Sequence, residues 1–433
     1  MSDLRLTYYG DDFTGSTDVM EALSVNGLPT VLFLRPPTVA DLVRFPECKA
    51  VGVAGVSRSE TPEWMDEHLP PVFMALRELG APICHYKVCS TFDSSPVRGS
   101  IGRAVELGRR VMGNAVVPMV VGAPVLRRYV VFGNLFATVD GESYRIDRHP
   151  TMSRHPVTPM EEGDLRRHLG MQTALSLGLV DILALQAGRG LERFREERAS
   201  IVLFDTLDEV SLREAGRAIW ESRGDAPMFV AGSSGVEYAL LEWWRSQGLL
   251  PIKPTTYEAG AVDRVLVVSG SCSPVTGQQI RWALRNGFVD VAVDPARLVS
   301  DAAEFDRVLQ MGELALSSGQ SPVIYTAAGP SDVVETGGGN AIGARLGALA
   351  GTLARRSGVR RIVIAGGDTS GHAGRELGIE ALTFKRSFYP GSPLCRIWCT
   401  ETGINGTEIM LKGGQVGAEM LFGEVLAGQP GTT

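Results

Sequence analysis

The sequence lacks the features that would place it on a nucleic acid, in a membrane or outside the cell. Its net charge is -7 and it has no long run of basic residues, so a nucleic-acid surface is not expected. Its apolar runs are only as long as strands, which predicts no membrane span. The polar start Met1–Arg5 has no signal-peptide core. These absences together predict a cytoplasmic protein.

Cysteine is scarce and is not arranged for binding a metal. The six cysteines are spread along the chain without a CxxC pair. Cys395 and Cys399 have no nearby histidine that would complete a zinc site. We therefore expect reduced thiols, as is usual in the cytosol.

What the sequence does contain is the alternating pattern of an α/β protein. The chain has 433 residues, of which 44% are hydrophobic and 21% charged, and this length suggests two or three domains. Short apolar runs alternate with helical patterns, for example Ser211–Arg223 between Ile201–Phe204 and Met228–Ala231. This alternation predicts βαβ units and mostly parallel sheets. No internal sequence repeat is visible.

A break near Leu249–Gly260 divides this pattern. Two prolines and a polar run follow a helical pattern there, which is typical of a linker. We therefore predict two α/β domains, residues 1–255 and 262–433. Within the first, the Gly-, Pro- and Arg-rich stretch Val116–Pro159 is predicted to form strands and long loops.

The first candidate site follows the first predicted strand, Leu4–Tyr9. The turn Gly10–Gly15 places Asp11 and Asp12 beyond the carboxyl end of that strand, where ligands bind in open α/β sheets. Two adjacent carboxylates there could bind Mg²⁺, accept a hydroxyl proton or hold substrate hydroxyls. A plain turn with a helix N-cap explains the same residues equally well.

Two further candidates are expected at the same edge of the sheet. Arg58 follows the strand Ala50–Val56 and could hold a carboxylate with two hydrogen bonds, although a solvated Arg beside a helix cap is slightly favoured. Lys87, one of only five lysines, precedes the hydroxyls of Ser90 and Thr91. A lysine with several hydroxyls could bind an anionic substrate or a transferring phosphate, and this interpretation is favoured over a plain Ser/Thr-rich loop.

Small-residue turns in the second half are candidates for phosphate binding. Ser269–Pro274 lies between a strand and a helix, but it lacks the Gly-Lys-Ser/Thr ending of a Walker A loop. Gly366–Gly371 follows a predicted central strand, and its paired glycines permit close backbone approach to a ligand. Leu411–Gly417 puts Lys412 beside flexible backbone. Leu411–Gly417 and Thr336–Gly343, which contains no proper GxGxxG, are each more often a plain turn when taken alone, whereas Gly366–Gly371 is the best single indication of a nucleotide site.

Together these segments resemble the four-carbon acid sugar kinase family, formerly catalogued as a domain of unknown function. The matching segments occur in the family's order over nearly the whole chain: Asp11–Gly15, Ser57–Arg58, Lys87 with Ser90–Thr91, Ser269–Ser273, Gly366–Gly371 and Leu411–Gly417. The resemblance implies two α/β domains with a cleft between them, the first binding a sugar acid and the second ATP. It also implies an ATP- and Mg²⁺-dependent kinase that phosphorylates a hydroxyl of a four- or five-carbon sugar acid or oxo-acid.

The resemblance implies roles for individual residues as well. Asp12 is expected to orient or deprotonate the attacking hydroxyl, Arg58 to hold the substrate carboxylate, and Lys87 to offset charge on the substrate or the moving phosphoryl group. The residues expected at the substrate are Asp11, Asp12, Arg58, Lys87, Ser90, Thr91 and Asp93. The residues expected at the nucleotide are Ser269, Ser271, Gly366, Gly367, Asp368, Thr369, Gly413 and Gly414.

The chain departs from the family pattern after Lys87. Where the family has an acidic residue, this chain has Cys89, and extra residues separate Thr91 from Arg98. Asp93 is expected to replace the missing carboxylate from a shifted position. Because these changes lie in the presumed substrate half, they leave the exact sugar acid open.

Two other classes of protein fit parts of the sequence. A nicotinamide-dependent oxidoreductase would also have two α/β domains, but the glycine fingerprint followed by an acidic residue about 20 positions later is missing. A non-catalytic ligand-binding or regulatory relative would explain the altered loop after Lys87. The partners expected are small molecules, with no nucleic acid, no membrane and a possible homodimer.

Overall fold

The protein is described by a computed structural model covering residues 4–250, 258–329 and 339–430, without the side chains of Asn340 and Asp368. The chain divides into two compact units, Met1–Thr255 and Thr256–Thr433. Most of the predicted linker Leu249–Gly260 lies outside the described residues, as does the first part of Thr336–Gly343. None of the described helices combines the length and hydrophobicity that a membrane crossing requires.

The first unit is built on a parallel sheet. Its strands are β1 (Leu6–Gly10), β2 (Thr30–Phe33), β3 (Ala50–Ala54), β4 (Ile83–Lys87), β5 (Val117–Val120), β6 (Arg128–Val131), β7 (Asn134–Val139), β8 (Glu142–Arg145), β9 (Leu177–Val180), β10 (Ile201–Phe204) and β11 (Met228–Gly232). The main sheet has the order β2-β3-β1-β4-β11-β5-β10-β9 and all its strands run parallel. Strands β6, β7 and β8 form a separate antiparallel sheet within the predicted irregular stretch.

Helices connect these strands, as the alternating sequence pattern predicts. They are α1 (Phe13–Val25), α2 (Pro62–Glu78), α3 (Ile101–Met112), α4 (Leu165–Gly170), α5 (Ile182–Gln186), α6 (Gly190–Glu196), α7 (Glu209–Ser222) and α8 (Gly235–Ser246). The side chain of Asp12 caps α1, and that of Asp208 caps α7 in a capping box with Ser211. The central strands are wholly buried, as expected for a parallel sheet covered on both faces.

The second unit has a smaller, mixed sheet. Its strands are β12 (Leu266–Ser269), β13 (Val289–Ala292), β14 (Pro322–Tyr325), β15 (Arg361–Ala365), β16 (Ala381–Tyr389), β17 (Ser392–Trp398) and β18 (Glu408–Lys412). Its helices are α9 (Pro274–Arg285), α10 (Pro295–Ser300), α11 (Ala302–Ser317), α12 (Gly339–Ser357), α13 (Gly367–Glu376) and α14 (Leu421–Ala427). The order β13-β14-β12-β15-β18 is parallel, whereas β17 and β16 continue it antiparallel.

The two units share a strand order that the sequence does not reveal. The first has β2-β3-β1-β4 and the second β13-β14-β12-β15, so in both the first strand is central and the chain then moves to one side. The chain then crosses to the other side of the first strand, where it forms β4 in the first unit and β15 in the second. The reversal creates a switch point between β1 and β4, and another between β12 and β15. Ligands bind beyond the carboxyl ends of strands at such points.

The predicted turns at these switch points are shorter than expected. Helix α1 begins at Phe13, inside the predicted turn Gly10–Gly15, because Asp12 caps it. Helix α13 begins at Gly367, inside Gly366–Gly371, immediately after Gly366 with a φ of 118°. Such a backbone angle favours glycine, so Gly366 turns the chain directly from strand into helix.

Candidate functional site

Asp11 and Asp12, called the acidic pair below, lie beside Lys87 at the switch point of the first unit. Asp11 and Asp12 follow β1, Lys87 ends β4, and Arg58 follows β3. The backbone N–H of Asp11 donates to the Lys87 carbonyl at 2.9 Å, and that of Arg58 donates to the Asp11 carbonyl at 3.0 Å. The structure therefore brings together the four N-terminal residues expected to act on the substrate most directly.

Arg58 binds both carboxylates of the acidic pair. Its Nε and Nη2 donate to Asp11 at 3.1 and 2.7 Å, and its Nη1 and Nη2 donate to Asp12 at 3.0 Å each. A guanidinium has five N–H donors, and four are used here. A two-bond grip on a substrate carboxylate would therefore require Arg58 to release one of its partners.

Asp12 has a structural role as well as its place in the site. Its Oδ1 accepts a hydrogen bond from the Gly15 backbone at 2.9 Å, which is the N-cap contact that starts α1. Both interpretations of the acidic turn, helix cap and functional carboxylate, therefore fit the same side chain. Because both oxygens also face Arg58, this carboxylate is held in a fixed orientation from which it could position a substrate hydroxyl.

Lys87 is a buried cation among carboxylates. A methyl group added at Gly15 would come within 2.5 Å of Lys87 Nζ and 2.4 Å of Asp12 Oδ1, so both atoms face the same small space. On its other side, Nζ lies 3.9 Å from Asp18 Oδ2 on helix α1. Burial raises the pKa of the Asp18 carboxyl, and the Lys87 ammonium opposes that rise. Glycine at position 15 thus leaves room for the ammonium to approach the acidic pair.

The altered loop after Lys87 forms its own polar cluster. The Thr91 hydroxyl donates to Asp93 Oδ1 at 2.5 Å, and the Thr158 hydroxyl donates to Asp93 Oδ2 at 3.3 Å. Phe92, which lies between Thr91 and Asp93 in the sequence, has a φ of 57°, a left-handed conformation that is rare for a bulky residue. Burial raises the pKa of the Cys89 thiol, while the nearby Arg58 lowers it and Asp93 raises it further. The Cys89 thiol thus lies near both Arg58, which binds the two aspartates, and Asp93, the carboxylate expected to replace the family's acidic residue.

Small residues of three turns converge at the switch point of the second unit. A methyl group at Gly414 would lie 2.5 Å from Ser271 Oγ, and one at Gly270 would lie 2.2 Å from Thr369 Oγ1. The Gly366 backbone N–H donates to the Lys412 carbonyl at 3.0 Å. The turns after β12, β15 and β18 therefore lie against one another, with backbone exposed where side chains would otherwise stand.

The remaining residues expected at the nucleotide lie in or next to these turns. Ser269 is buried and its hydroxyl accepts from the Ser271 backbone at 3.3 Å. A methyl group at Gly367 would meet no atom within 4 Å, and one at Gly413 would meet only Val416 at 3.7 Å. The side chain of Asp368 lies outside the described part of the structure. Ser90, expected at the substrate, is half-buried in the loop after Lys87.

Two charged residues near these sites, Asp18 and Lys412, were not among the predicted site residues. Asp18 lies beside the apolar positions Val19 and Met20 of the predicted helix, and no sequence signal sets it apart from Glu21 in the same helix. Lys412 is completely buried, and its Nζ donates to Thr276 Oγ1 at 3.1 Å. Its signal is a lysine at the end of the apolar run Ile409–Leu411. Among the residues described, no group of three or more His, Cys, Asp or Glu side chains is placed to hold a metal ion.

Comparison with known proteins gives matches along the whole chain. Residues 6–240 match the family described as the sugar-binding N-terminal domain, and residues 266–422 match the nucleotide-binding C-terminal domain. The chain is 49% identical to a Paraburkholderia graminis protein named 3-oxo-isoapionate kinase, over 98% of this chain and 95% of that one. It is 31% identical to a Methylobacterium radiotolerans protein named 3-oxo-tetronate kinase, over 98% and 99% of the two chains.

A solved structure has the same fold. A crystal structure from Salmonella typhimurium LT2, described as a candidate tRNA synthase, covers 98% of this chain and 98% of its own with a TM-score of 0.79. The two sequences are 25% identical. The predicted α/β class with mostly parallel sheets is therefore confirmed.

Proposed function

Because the chain belongs to the four-carbon acid sugar kinase family, we propose that it phosphorylates a 3-oxo sugar acid and that 3-oxo-isoapionate is its preferred substrate. The kinase activity predicted from the sequence is confirmed, because relatives that match nearly the full chain are named as sugar-acid kinases. The substrate preference rests on one observation, the identity of 49% to the isoapionate kinase against 31% to the tetronate kinase. Both relatives are named for 3-oxo sugar acids.

We place ATP in the second unit, because its turns fit a phosphate chain. Gly270, Gly366 and Gly414 keep the space around Ser271 and Thr369 free of larger side chains. The nucleotide, when bound, supplies the phosphoryl group. The role of the turns is to fix its phosphates with backbone N–H groups, which costs no reorganisation during transfer.

Mg²⁺ is proposed to be held mainly by the nucleotide phosphates and water. This ion favours few carboxylate ligands and keeps several waters in kinases. The oxygens of Asp11 and Asp12 already accept hydrogen bonds from Arg58, whose charge offsets one of the two carboxylates, and this makes the pair a poor independent magnesium site. Within the described residues no larger cluster of metal-binding side chains competes for the ion.

The first unit is proposed to hold the sugar acid at the acidic pair. Asp12 orients the attacking hydroxyl, and the Lys87 ammonium beside it offsets the negative charge on the substrate or on the moving phosphoryl group. Arg58 fixes both carboxylates and contributes its one unused N–H donor to the substrate. Asp11 is proposed to act mainly through Arg58, since both of its oxygens face that guanidinium.

The loop after Lys87 is proposed to select among sugar acids. Asp93 stands where its carboxylate is held by Thr91 and Thr158, so it is fixed before any substrate arrives. A fixed carboxylate and neighbouring hydroxyls, including that of Ser90, suit the recognition of substrate hydroxyl groups. Two other expectations from the sequence, a homodimer and a cytoplasmic location, stay predictions.

The test is a comparison of two substrates under one assay. Initial rates with ATP are measured over a range of 3-oxo-isoapionate and of 3-oxo-tetronate concentrations, with ADP release as the readout. We expect kcat/KM to favour 3-oxo-isoapionate by about 10-fold or more, the range that one additional well-placed group provides. A preference for 3-oxo-tetronate would overturn the substrate, and no ATP-dependent turnover with any sugar acid would overturn the activity itself.

A further inference from the structure

Lys412 is a buried cation without a carboxylate partner among the described side chains. It ends β18, is completely buried, and donates one hydrogen bond, to Thr276 Oγ1 at 3.1 Å. No carboxylate of the described residues forms an ion pair with it, and burial alone lowers the pKa of its ammonium to about 8. Buried charges are normally paired, so an unpaired one indicates a missing partner.

The surroundings of Lys412 indicate the charge and shape of that partner. The Thr276 hydroxyl donates to the Gly414 carbonyl at 2.7 Å, so its oxygen is free to accept the hydrogen bond from Lys412. An ammonium has three N–H donors, and this contact uses one of them. Thr276 lies in the first turn of α9, whose N-terminus attracts anions, and the turn beside it holds Ser271.

Resting on the proposed binding of ATP by this unit, we propose that Lys412 is a phosphate-binding residue whose ammonium donates hydrogen bonds to the phosphate chain of the nucleotide. The ligand thus brings the negative charge that the described side chains around Lys412 do not supply. A neutral part of the ligand, such as the nucleoside, makes no use of this cation. Lys412 is therefore expected to distinguish ligands by their phosphates.

This role separates stability from binding in a way that a structural role does not. Before the nucleotide binds, the buried ammonium without a carboxylate partner does not stabilise the folded state, so its removal leaves the melting temperature of the free protein unchanged or raises it. The same removal weakens every phosphate-bearing ligand. A lysine that mainly supported the turns would show the reverse: its loss would lower the melting temperature and weaken all ligands alike.

The experiment uses the full chain and the variant Lys412→Met, which keeps the length of the side chain and removes its charge. Lys385→Met is the matched control, since Lys385 is a half-exposed lysine in the same unit. Binding of ATP, inorganic tripolyphosphate and adenosine is measured by calorimetry, and melting temperatures are measured without ligand. For Lys412→Met we expect an unchanged or higher melting temperature, a Kd for ATP raised about 30-fold or more, and an adenosine affinity unchanged.

Several results would overturn the proposal. One is an ATP affinity of Lys412→Met equal to that of the wild type. Another is a lower melting temperature together with equal losses for ATP and adenosine. If Lys412→Met does not fold, two other proteins test the proposal. Wild-type protein that binds adenosine but not tripolyphosphate would also overturn it. Lys412→Arg keeps the positive charge and is expected to bind tripolyphosphate.

The failure of the proposed function is seen separately. If tripolyphosphate binds through Lys412 but the protein shows no preference for ATP, the phosphate site is retained and the proposal that this unit binds ATP is overturned. Wild-type protein that binds neither ligand would overturn both.

Discussion

Each unit of this protein contains a buried lysine at the carboxyl end of a parallel strand, but the two lysines have opposite surroundings. Lys87 lies beside Asp12 and 3.9 Å from Asp18, so the protein neutralises it before any ligand arrives. In the part of the chain that the structure describes, Lys412 contacts the hydroxyl of Thr276 and forms no ion pair. The difference follows the proposed ligands. A sugar acid must present a hydroxyl, which carboxylates can orient, whereas a nucleotide brings several negative charges of its own.

The largest effect is expected from removing the neutralised lysine. Lys87→Met would leave Asp12 and Asp18 close together without their shared cation, which costs about 3 kcal/mol in the free energy of unfolding when a buried pair is broken. It would also remove a preorganised charge near the transferring group, lowering kcat on the order of 100-fold or more. Urea denaturation and steady-state kinetics measure the two effects.

The contrast with the second lysine makes this prediction specific. Lys87→Met is expected to lower stability, and Lys412→Met to leave it unchanged or raise it, although both substitutions remove one buried ammonium. Lys385→Met, at a half-exposed position, serves as the common control and should change neither stability nor kcat appreciably. If Lys87→Met were as stable as the wild type, the charges around Lys87 would not be balanced as the distances indicate.

A second, intermediate effect concerns pH. Burial lowers the pKa of Lys412 from 10.5 to about 8, and among the described residues no charged group adds to this shift. Between these values the unfolded chain holds a proton that the folded chain has released, so stability rises with pH across this window. Relative to Lys412→Met, the wild type should gain on the order of 3 kcal/mol between pH 8 and pH 10.5.

The same window should affect binding with the opposite sign. The nucleotide favours the charged lysine, so ATP binding near pH 8.5 is expected to take up protons, and affinity should fall as pH rises further. Calorimetry in buffers of different ionisation enthalpy measures this uptake. Equal proton uptake by the wild type and Lys412→Met would show that another group titrates.

How much of this could be predicted from sequence depends on the kind of signal. The βαβ alternation and the segments carrying Asp12, Lys87 and Ser271 are local patterns, and they indicated the fold and the edges of both sheets. Partnerships across the chain were not local: the four bonds between Arg58 and the acidic pair join positions more than 45 residues apart. Whether a lysine is neutralised or left alone depends on such partners, so composition and spacing could not distinguish Lys87 from Lys412.

The repeated strand order shows a further limit of the sequence. The two units have the order β2-β3-β1-β4 and β13-β14-β12-β15 without a visible repeat in sequence. Strand order is fixed by which apolar strands pair, and many different apolar sequences pair equally well. The antiparallel strands β16 and β17 also escaped prediction, since their apolar residues do not reveal the direction of the chain.

The smallest effect is expected from adding a single methyl group to the turn after β18. In Gly414→Ala the new Cβ would lie 2.5 Å from Ser271 Oγ, so the serine must move away from the proposed phosphate site. We expect the Kd for ATP to rise about 5-fold, equivalent to about 1 kcal/mol. The matched control is Gly413→Ala, where the nearest atom lies at 3.7 Å, an ordinary contact, and where ATP affinity should not change. Since neither glycine has a left-handed backbone, the two variants differ in what the methyl group meets and not in backbone strain.

Equal weakening of ATP binding by both variants would mean that flexibility of the turn matters, and not the space beside Ser271. A loss confined to Gly414→Ala would place the phosphates next to Ser271, on the same side as the unpaired lysine.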